Sequence, residues 1–396
     1  MILILQIAFW VLLGLVLYSY LLYGLFLWIY LSIKRLFISN KRAVSEYEPD
    51  VTLFVAAYNE KDYIEAKVKN SFSLNYPKEK LHLLWVTDGS DDETIELLAK
   101  FPKVKVLHNP ERSGKINAIN RGMDNVNTPI VVFCDANTIL SVNSIKAIVQ
   151  AFNNPKVGCV AGEKRIANKE SDSAAGSGEG IYWKYESLLK KLDSELYTTV
   201  GAAGELFAIR TELFQKVESD TLLDDFILSM RIAIAGYKIK YVPEAYAIET
   251  SSANVKEELK RKIRIAAGAI QSTFRLTKAL NPFYDFLLSF QFISHKVMRW
   301  LVVPFALPVI YALNSYFYYK NGFFTVNIYM MFFWLQTAFY LMANLGWYFQ
   351  NSNIKLKIFF IPYYIFMMNY AAWLGLFRYL KGNQSVNWER AKRAKL

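Results

Sequence analysis

Cysteine is nearly absent: two residues, Cys134 and Cys159, occur in the 396-residue chain, each inside an apolar, strand-like run and neither at a metal-ligand spacing. This excludes a disulfide framework and a thiolate metal centre, and reads as buried, reduced thiols of a cytosolic domain. No internal repeat or low-complexity tract is present. The nearest is the small-residue run from Ser171 to Gly178, expected to form a mobile loop. Charge is missing from Ile2 to Ile33, whereas about 20 apolar residues suffice to cross a bilayer, so one tilted or protruding helix accounts for the stretch. A cleaved signal peptide is disfavoured, because no basic n-region or small-residue cleavage site accompanies so long an apolar run.

Lys34, Arg35, Lys41 and Arg42 follow this anchor and place the next domain in the cytosol by the positive-inside rule. The formal charge of +12 is concentrated beside the apolar stretches and in the C-terminal tail, which points to anionic lipid headgroups and not to nucleic acid. Five segments emerge: an anchor over 1–34, a cytosolic α/β domain over 46–280, an interfacial amphipathic segment over 281–299, transmembrane helices over 300–380 and a basic tail over 381–396. The third of these mixes apolar residues with Asp285, His295, Lys296 and Arg299. The C-terminal spans read Trp300–Tyr318, Phe323–Tyr348 and Ile358–Leu380. One anchor plus three spans would put the basic tail outside, against the positive-inside rule. Either a C-terminal stretch, such as the one holding Pro362, is re-entrant, or the tail breaks the rule.

Between 46 and 250, β-rich runs alternate with helical patterns, as in a largely parallel α/β sheet, and ligands bind such sheets beyond the carboxyl ends of the strands. Asn59, Asp88 and Asp135 fall at those ends. In Ala57-Tyr58-Asn59-Glu60 and Asp88-Gly89-Ser90-Asp91-Asp92, carboxylates can accept hydrogen bonds from a nucleobase or a ribose. Asp88 is the better placed for a ligand, whereas Asp91 is expected to cap a helix. The polar loop His108–Lys115 opens a helix and offers Arg112 and Lys115 to a diphosphate, although the earlier glycine of a P-loop is missing. Asp135-Ala136-Asn137 follows the most apolar strand; its oxygens suit Mg²⁺ or Mn²⁺ shared with a diphosphate, and the alternative is an Asx turn. In Asp224-Asp225, one carboxylate is expected to cap the following helix (Asp224) and the other to act as general base (Asp225). Arg264, one turn from Arg261, either holds a diphosphate or rests on lipid headgroups.

This ordered set, from Ala57-Tyr58-Asn59-Glu60 through Gly114-Lys115, Asp135-Ala136-Asn137 and the Gly204–Arg210 strand to Asp224-Asp225 and Gly236-Tyr237, resembles family-2 glycosyltransferases of the GT-A fold. The resemblance covers residues 46–300 and is greatest to the membrane-integrated branch that includes cellulose, chitin and hyaluronan synthases and exopolysaccharide glycosyltransferases. It implies that Ala57, Tyr58, Glu60 and Asp88 bind the nucleotide of a nucleotide-diphosphate sugar, a UDP-sugar foremost. By the same resemblance Lys115 meets the diphosphate, Asp135 holds the metal, and Asp225 is the base of a one-step inverting transfer. The acceptor, a saccharide or lipid-linked saccharide, would meet Trp183, which could stack on a sugar ring, and Gly201–Glu205 with Gly204 at its centre. The implied setting is a multi-pass integral membrane protein of the bacterial inner membrane or its equivalent.

Two departures stand out. Asn137 replaces the second acid of the metal motif, and Arg261-Lys262-Ile263-Arg264-Ile265 keeps only the arginine of the Gln-x-x-Arg-Trp motif of processive synthases. An Arg299-Trp300 pair occurs further along. A processive synthase that also secretes its product is therefore the alternative reading, and a noncatalytic GT-A scaffold a minor one.

Overall fold

The structure is a computed structural model that describes residues 1–37, 47–167, 174–250, 252, 254–322, 326–350 and 357–382. Lys41, Arg42, the first three residues of the small-residue run and the tail beyond Gly382 lie outside them.

Strands β1 (Val51–Ala57), β2 (Leu81–Asp88), β3 (Val104–Asn109), β4 (Ile130–Asp135), β5 (Ile139–Leu140), β6 (Val157–Ile166), β7 (Leu206–Arg210) and β8 (Lys238–Glu249) form one sheet in the order β3-β2-β1-β4-β7-β6-β8-β5. Every residue of β1 is buried, as in parallel strands covered by helices on both faces. The largely parallel arrangement expected holds for β3-β2-β1-β4 and for β6 with β8; β7 runs antiparallel to both β4 and β6, and the short β5 antiparallel to β8. The reason is where β7 starts. Leu206 pairs with Cys134 at the carboxyl end of β4, so β7 begins at the cleft and can only run away from it. Parallel register aligns Ala57 with Thr87, Ala56 with Asp135 and Asp88 with Asn109, which brings the motif-bearing turns to one edge.

The N-terminal apolar run forms α1 (Ile2–Leu17), a π turn (Tyr18–Leu22) and α2 (Tyr23–Phe37). Within the domain, α3 (Ile64–Phe72), α4 (Thr94–Ala99), α5 (Lys115–Met123), α6 (Ser144–Ala151), α7 (Ala174–Leu196), α8 (Asp224–Ile234), α9 (Val255–Arg275) and α10 (Thr277–Leu280) follow in chain order. One face of β1, through Phe54 and Ala56, packs with Ile116 and Ile119 of α5 and Ile227 and Met230 of α8; the other, through Leu53 and Val55, packs with Val68 of α3 and Ile148 of α6. The expected mobile loop is partly helical: from Ala174 onward it is the first turn of α7.

The C-terminal part comprises α11 (Phe286–Phe292), a π-helical stretch (Ile293–Val302), α12 (Val303–Lys320), α13 (Ile328–Phe349) and α14 (Lys357–Leu380). Among the described residues four helices are long and apolar enough to cross a bilayer: Ile2–Phe37, Phe286–Lys320, Ile328–Phe349 and Ile358–Leu380. The chain is read as a membrane protein on that basis. The segment expected to lie apart in the interface, 281–299, instead runs unbroken into α12 from Asp285, whose side chain accepts from the Leu288 amide at 3.0 Å and caps the helix.

Its polar residues face the domain, not headgroups. Glu186 of α7 accepts from Lys296 and, at 2.8 Å, from Arg299, with His295 Nε2 at 3.3 Å. The other ring nitrogen of His295 lies 2.5 Å from Asp193, which also accepts from the Tyr23 hydroxyl of α2 at 2.5 Å and from Gln291 at 3.2 Å. Glu186, Asp193, His295 and Tyr23 are all buried, so α7 is fastened at once to the N-terminal helix and to Phe286–Lys320. Removing one member of a buried charged network leaves the others unpaired, at about 3–5 kcal/mol. Asp193→Ala is expected to lower the thermal unfolding midpoint of the detergent-solubilised protein clearly, and a midpoint within a degree of the parent would show that this junction does not hold the domain to its helices.

Candidate functional site

The turn after β1 carries Asn59, which adopts a positive φ of 54° and bonds reciprocally to Asp91: Asn59 Nδ2 donates to Asp91 Oδ1 at 2.6 Å and the Asp91 amide donates to Asn59 Oδ1 at 3.0 Å. Asp91 is thus not the helix cap expected. α4 starts three residues later, and the Thr94 amide is met at 3.0 Å by Asp92. The two neighbouring turns are in this way tied to each other.

Asp88, at the end of β2, is buried. Its Oδ2 accepts from the amides of Ser113 (3.0 Å) and Gly114 (2.6 Å), while Oδ1 accepts no hydrogen bond among the described residues. One oxygen therefore shapes the loop that presents Arg112 and Lys115, and the other lies 3.9 Å from Arg121 Nη1. The Arg112 guanidinium lies over the Tyr58 ring, its Cζ 3.9 Å from the centroid. Ala57, Tyr58, Asp88, Arg112 and Lys115 line one narrow niche.

Lys115 also reaches a larger cavity of about 370 Å³, whose walls include Glu60, Asp135, Asn137, Trp183, Asp225 and Arg264. Every residue assigned a ligand, metal or base role from the sequence therefore borders one of two adjoining spaces, Gly204 included, whereas Asn59 and Asp91 border neither. Lys115 Nζ donates to Asp135 Oδ1 at 2.8 Å and stands 3.9 Å from Asp224 Oδ2. Burial opposes the ammonium charge, but Asp135, Asp224 and Asp225 outweigh it and hold its pKa above the usual lysine range. Asp225 moves the opposite way. Loss of bulk water, the like charge of Asp224 and that of Glu205 push it up to about 7, with Lys115 only partly offsetting them.

The division of labour expected between the two carboxylates is not what the backbone provides. Leu223 occupies the N-cap of α8 with no side-chain cap; Asp225 Oδ1 accepts from the Phe226 amide at 2.8 Å, and the buried Asp224 Oδ2 accepts no hydrogen bond among the described residues. Both acids lie in the first turn, so Asp224 is turned toward Lys115 by helix geometry and is not spent on capping. Gly204 lies opposite. A Cβ there would stand 3.3 Å from Asp225 Oδ2 and 3.4 Å from Lys115 Nζ, in space that a substrate would need.

At the end of β4, Thr138 closes the turn by donating its hydroxyl to the Asp135 carbonyl at 2.8 Å, and no Asx turn through the Asp135 side chain forms among the described residues. Asn137 Nδ2 donates to Glu249 Oε1 at 3.4 Å, which leaves the Asn137 oxygen and Asp135 Oδ2 without hydrogen bonds among the described residues. Oxygens of this kind, on two residues that line the same cavity, fit a hard cation that takes its other ligands from phosphate and water. Among the described residues no group of three His, Cys, Asp or Glu side chains could hold a metal by itself.

Arg264 faces the cavity and not headgroups; burial pulls its pKa down while Asp224 and Asp225 oppose that. Arg261 is engaged by Glu258, to which Nε and Nη2 each donate at 3.0 Å. Lys164 was not singled out from the sequence, yet it fixes the far wall: Nζ donates to Glu205 at 2.8 Å, sits 2.6 Å from Glu249, and lies 5.1 Å from the Trp183 ring. Lys164 is buried while its chain neighbours Glu163 and Arg165 are half-buried and exposed, so no apolar run marked it in the sequence.

Residues 49–268, over half of the chain, match the family described as Glycosyltransferase like family 2. A poly-β-1,6-N-acetyl-D-glucosamine synthase of Staphylococcus aureus (strain MSSA476) is 30% identical over 268 residues, 63% of either chain. A synthase of the same name from Staphylococcus epidermidis is 25% identical over 324 residues, 75% of this chain and 76% of that one. The match thus spans about 63% of the length of the first of these curated relatives. Among solved structures, the mannosyltransferase PcManGT from Pyrobaculum calidifontis, in complex with GDP-Man and Mn²⁺, superposes with a TM-score of 0.70 at 21% identity, covering 96% of this chain and 100% of that one, a likeness of fold. With the family matched over more than half its length, and the GT-A-like mixed sheet to go with it, the chain belongs to glycosyltransferase-like family 2.

Proposed function

We propose that the protein is an inverting membrane glycosyltransferase that moves a sugar from a nucleotide-diphosphate donor to a saccharide or lipid-linked saccharide acceptor in exopolysaccharide synthesis. The observation that carries this reading is the meeting of Asp135, Asp225, Lys115 and Arg264, from four separate elements, around one cavity of about 370 Å³. The names of the staphylococcal relatives favour a β-linked N-acetylglucosamine product, hence a UDP-sugar donor.

Tyr58, Asp88 and Arg112, which line the narrow niche, bind the nucleotide, and Glu60 borders the cavity. Lys115 and Arg264 take the diphosphate from opposite sides. The Asp225 carboxylate draws the proton from the acceptor hydroxyl as that oxygen bonds to the anomeric carbon. The bond from the anomeric carbon to the diphosphate breaks on the opposite face, and the nucleoside diphosphate departs with the electron pair. Trp183 offers its ring to the acceptor. A divalent cation, Mg²⁺ or Mn²⁺, held by Asp135 and Asn137, would neutralise charge on the departing group. The mannosyltransferase of like fold, in complex with GDP-Man and Mn²⁺, supports a divalent ion there. The catalytic domain faces the cytosol, as Lys34 and Arg35 at the end of the first span favour, with several spans anchoring it.

Because Asp225 must be ionised to act, turnover should fall as pH drops through about 7, with unit slope in the logarithm of kcat/KM. Asp225→Asn should remove that limb and lower kcat by about 10²–10⁴-fold while binding of the nucleoside diphosphate survives. An unchanged acid limb in the variant would assign the base elsewhere. Chelation by EDTA should abolish donor turnover, and Mg²⁺ or Mn²⁺ should restore it; undiminished transfer in EDTA would remove the cation from the scheme. The relatives' names also support polymer synthesis, and long polymer from purified protein and donor alone would favour the processive reading.

A further inference from the structure

Lys164 lies behind the cavity wall, its side chain 1% exposed, and three residues of that wall are arranged around its ammonium: Glu205, Glu249 and Trp183. They come from separate elements, Glu205 just before β7, Glu249 at the end of β8 and Trp183 in α7. The ladder between β6 and β8 delivers the lysine to this point. Ala161 pairs with Tyr241 but Glu163 with Tyr246, so β8 carries extra residues there, an irregularity of the kind that re-aims side chains beside active sites. Past the break Lys164 pairs with Ala247, which puts Lys164, Ala247 and Glu249 on one face of the sheet. Gly162 sits at the break, where a Cβ would stand 2.8 Å from the Leu206 side chain and 2.9 Å from the Ala245 carbonyl oxygen. The flanking strands thus close tightly on the step that turns Lys164 inward.

Stability alone does not account for this cluster, because apolar side chains of similar volume hold a buried site at least as well as an ion pair does. What apolar side chains could not supply is a pair of oriented carboxylates on the cavity surface. Burial would raise the pKa of Glu205, but Lys164 and Arg261 outweigh it and hold the group below the usual carboxylate range. An ionised carboxylate has about four acceptor positions, more than one ammonium can fill. Two contacts place this wall relative to the chemistry. A Cβ on Gly204, the residue before Glu205, would lie 3.3 Å from Asp225 Oδ2, and Glu249 Oε1 accepts from Asn137 Nδ2 at 3.4 Å. The wall therefore adjoins the base on one side and the residue proposed for the cation on the other. Trp183 completes it: the ammonium groups of Lys164 and Lys190, 5.1 and 5.4 Å from its ring, lie within cation–π range and fix its tilt.

We propose that Glu205, Glu249 and Trp183 form the subsite for the terminal sugar ring of the acceptor, and that Lys164 is the positioning residue of that subsite. The two carboxylates accept from ring hydroxyls in charge-assisted hydrogen bonds, and Trp183 offers an apolar surface to the C–H side of the ring. Lys164 never touches the sugar. It sets the separation and direction of two like-charged groups that would otherwise repel each other, and so fixes the pose in which one acceptor hydroxyl points at Asp225. The inference rests on the reading of the cavity as a site of glycosyl transfer, and it names the ligand class as a saccharide end recognised by its hydroxyls.

The test uses the full chain in detergent, with UDP-N-acetylglucosamine as donor and N-acetylglucosamine oligosaccharides as acceptor, at a pH well above the transition of Asp225 at about 7. Lys164→Met is expected to raise the acceptor KM about tenfold, with a smaller effect on kcat, while the affinity for UDP by calorimetry stays within about twofold. Lys164→Arg, which can pair with both carboxylates, should bring the acceptor KM back toward the parent value. A role in stability alone would lower the active fraction, hence kcat, and leave KM in place. An unchanged acceptor KM in folded Lys164→Met, or an equal loss of UDP affinity, would overturn the positioning role. Should Lys164→Met fail to fold, Glu205→Gln carries the test, since it keeps the shape and removes the charge. Its acceptor KM should rise about tenfold with UDP binding kept, and an unchanged acceptor KM would overturn the subsite. Absence of acceptor-dependent UDP release by the parent protein would be a different failure, overturning the transfer reading and this inference with it.

Discussion

The carboxylate of Glu186, enclosed by cations from another helix, is the point on which the molecule turns. Burial alone would neutralise it, but Lys296, His295 and Arg299 outweigh that effect and hold its pKa well below the usual carboxylate range. The charge must persist, because a neutral Glu186 would strand Lys296 and Arg299 in a buried place. The same helix, α7, presents Trp183 and Glu186 to the cavity and Asp193 to Tyr23 of the N-terminal helix. The wall of the reaction chamber and the attachment to the membrane helices are consequently one object, and neither can shift alone.

A second balance of charge operates inside the chamber. Asp135, Asp224 and Asp225 surround the ammonium of Lys115, and burial together with the like charge of Asp224 leaves Asp225 a weakened acid. The geometry agrees: Lys115 bonds Asp135 directly, whereas the hydrogen bond that Asp225 accepts comes from the Phe226 amide.

Much of this was legible in advance, because the motifs sit at strand ends and strand ends are the most regular parts of an α/β sheet. Asp88, Lys115, Asp135 and Asp225 could be picked out from the polarity breaks that follow apolar runs. What could not be read were choices made between adjacent residues. Whether Asp91 or Asp92 meets the first amides of α4, and whether Asp224 or Asp225 turns from its helix, depends on a few degrees of backbone that both alternatives share. Lys164 was missed because an ion pair across strands leaves no periodic trace, its partners Glu205 and Glu249 being far away in sequence.

The guanidinium of Arg112 resting on Tyr58 bears on selectivity. An aromatic face that is already covered by a flat cation gives an incoming base little new stacking energy, since one planar partner is exchanged for another. Discrimination among donors must then fall on hydrogen bonds at the edge of the base and on the sugar. A pocket of this kind would hold the common core of every nucleoside diphosphate with similar strength and sort its donors by their rims.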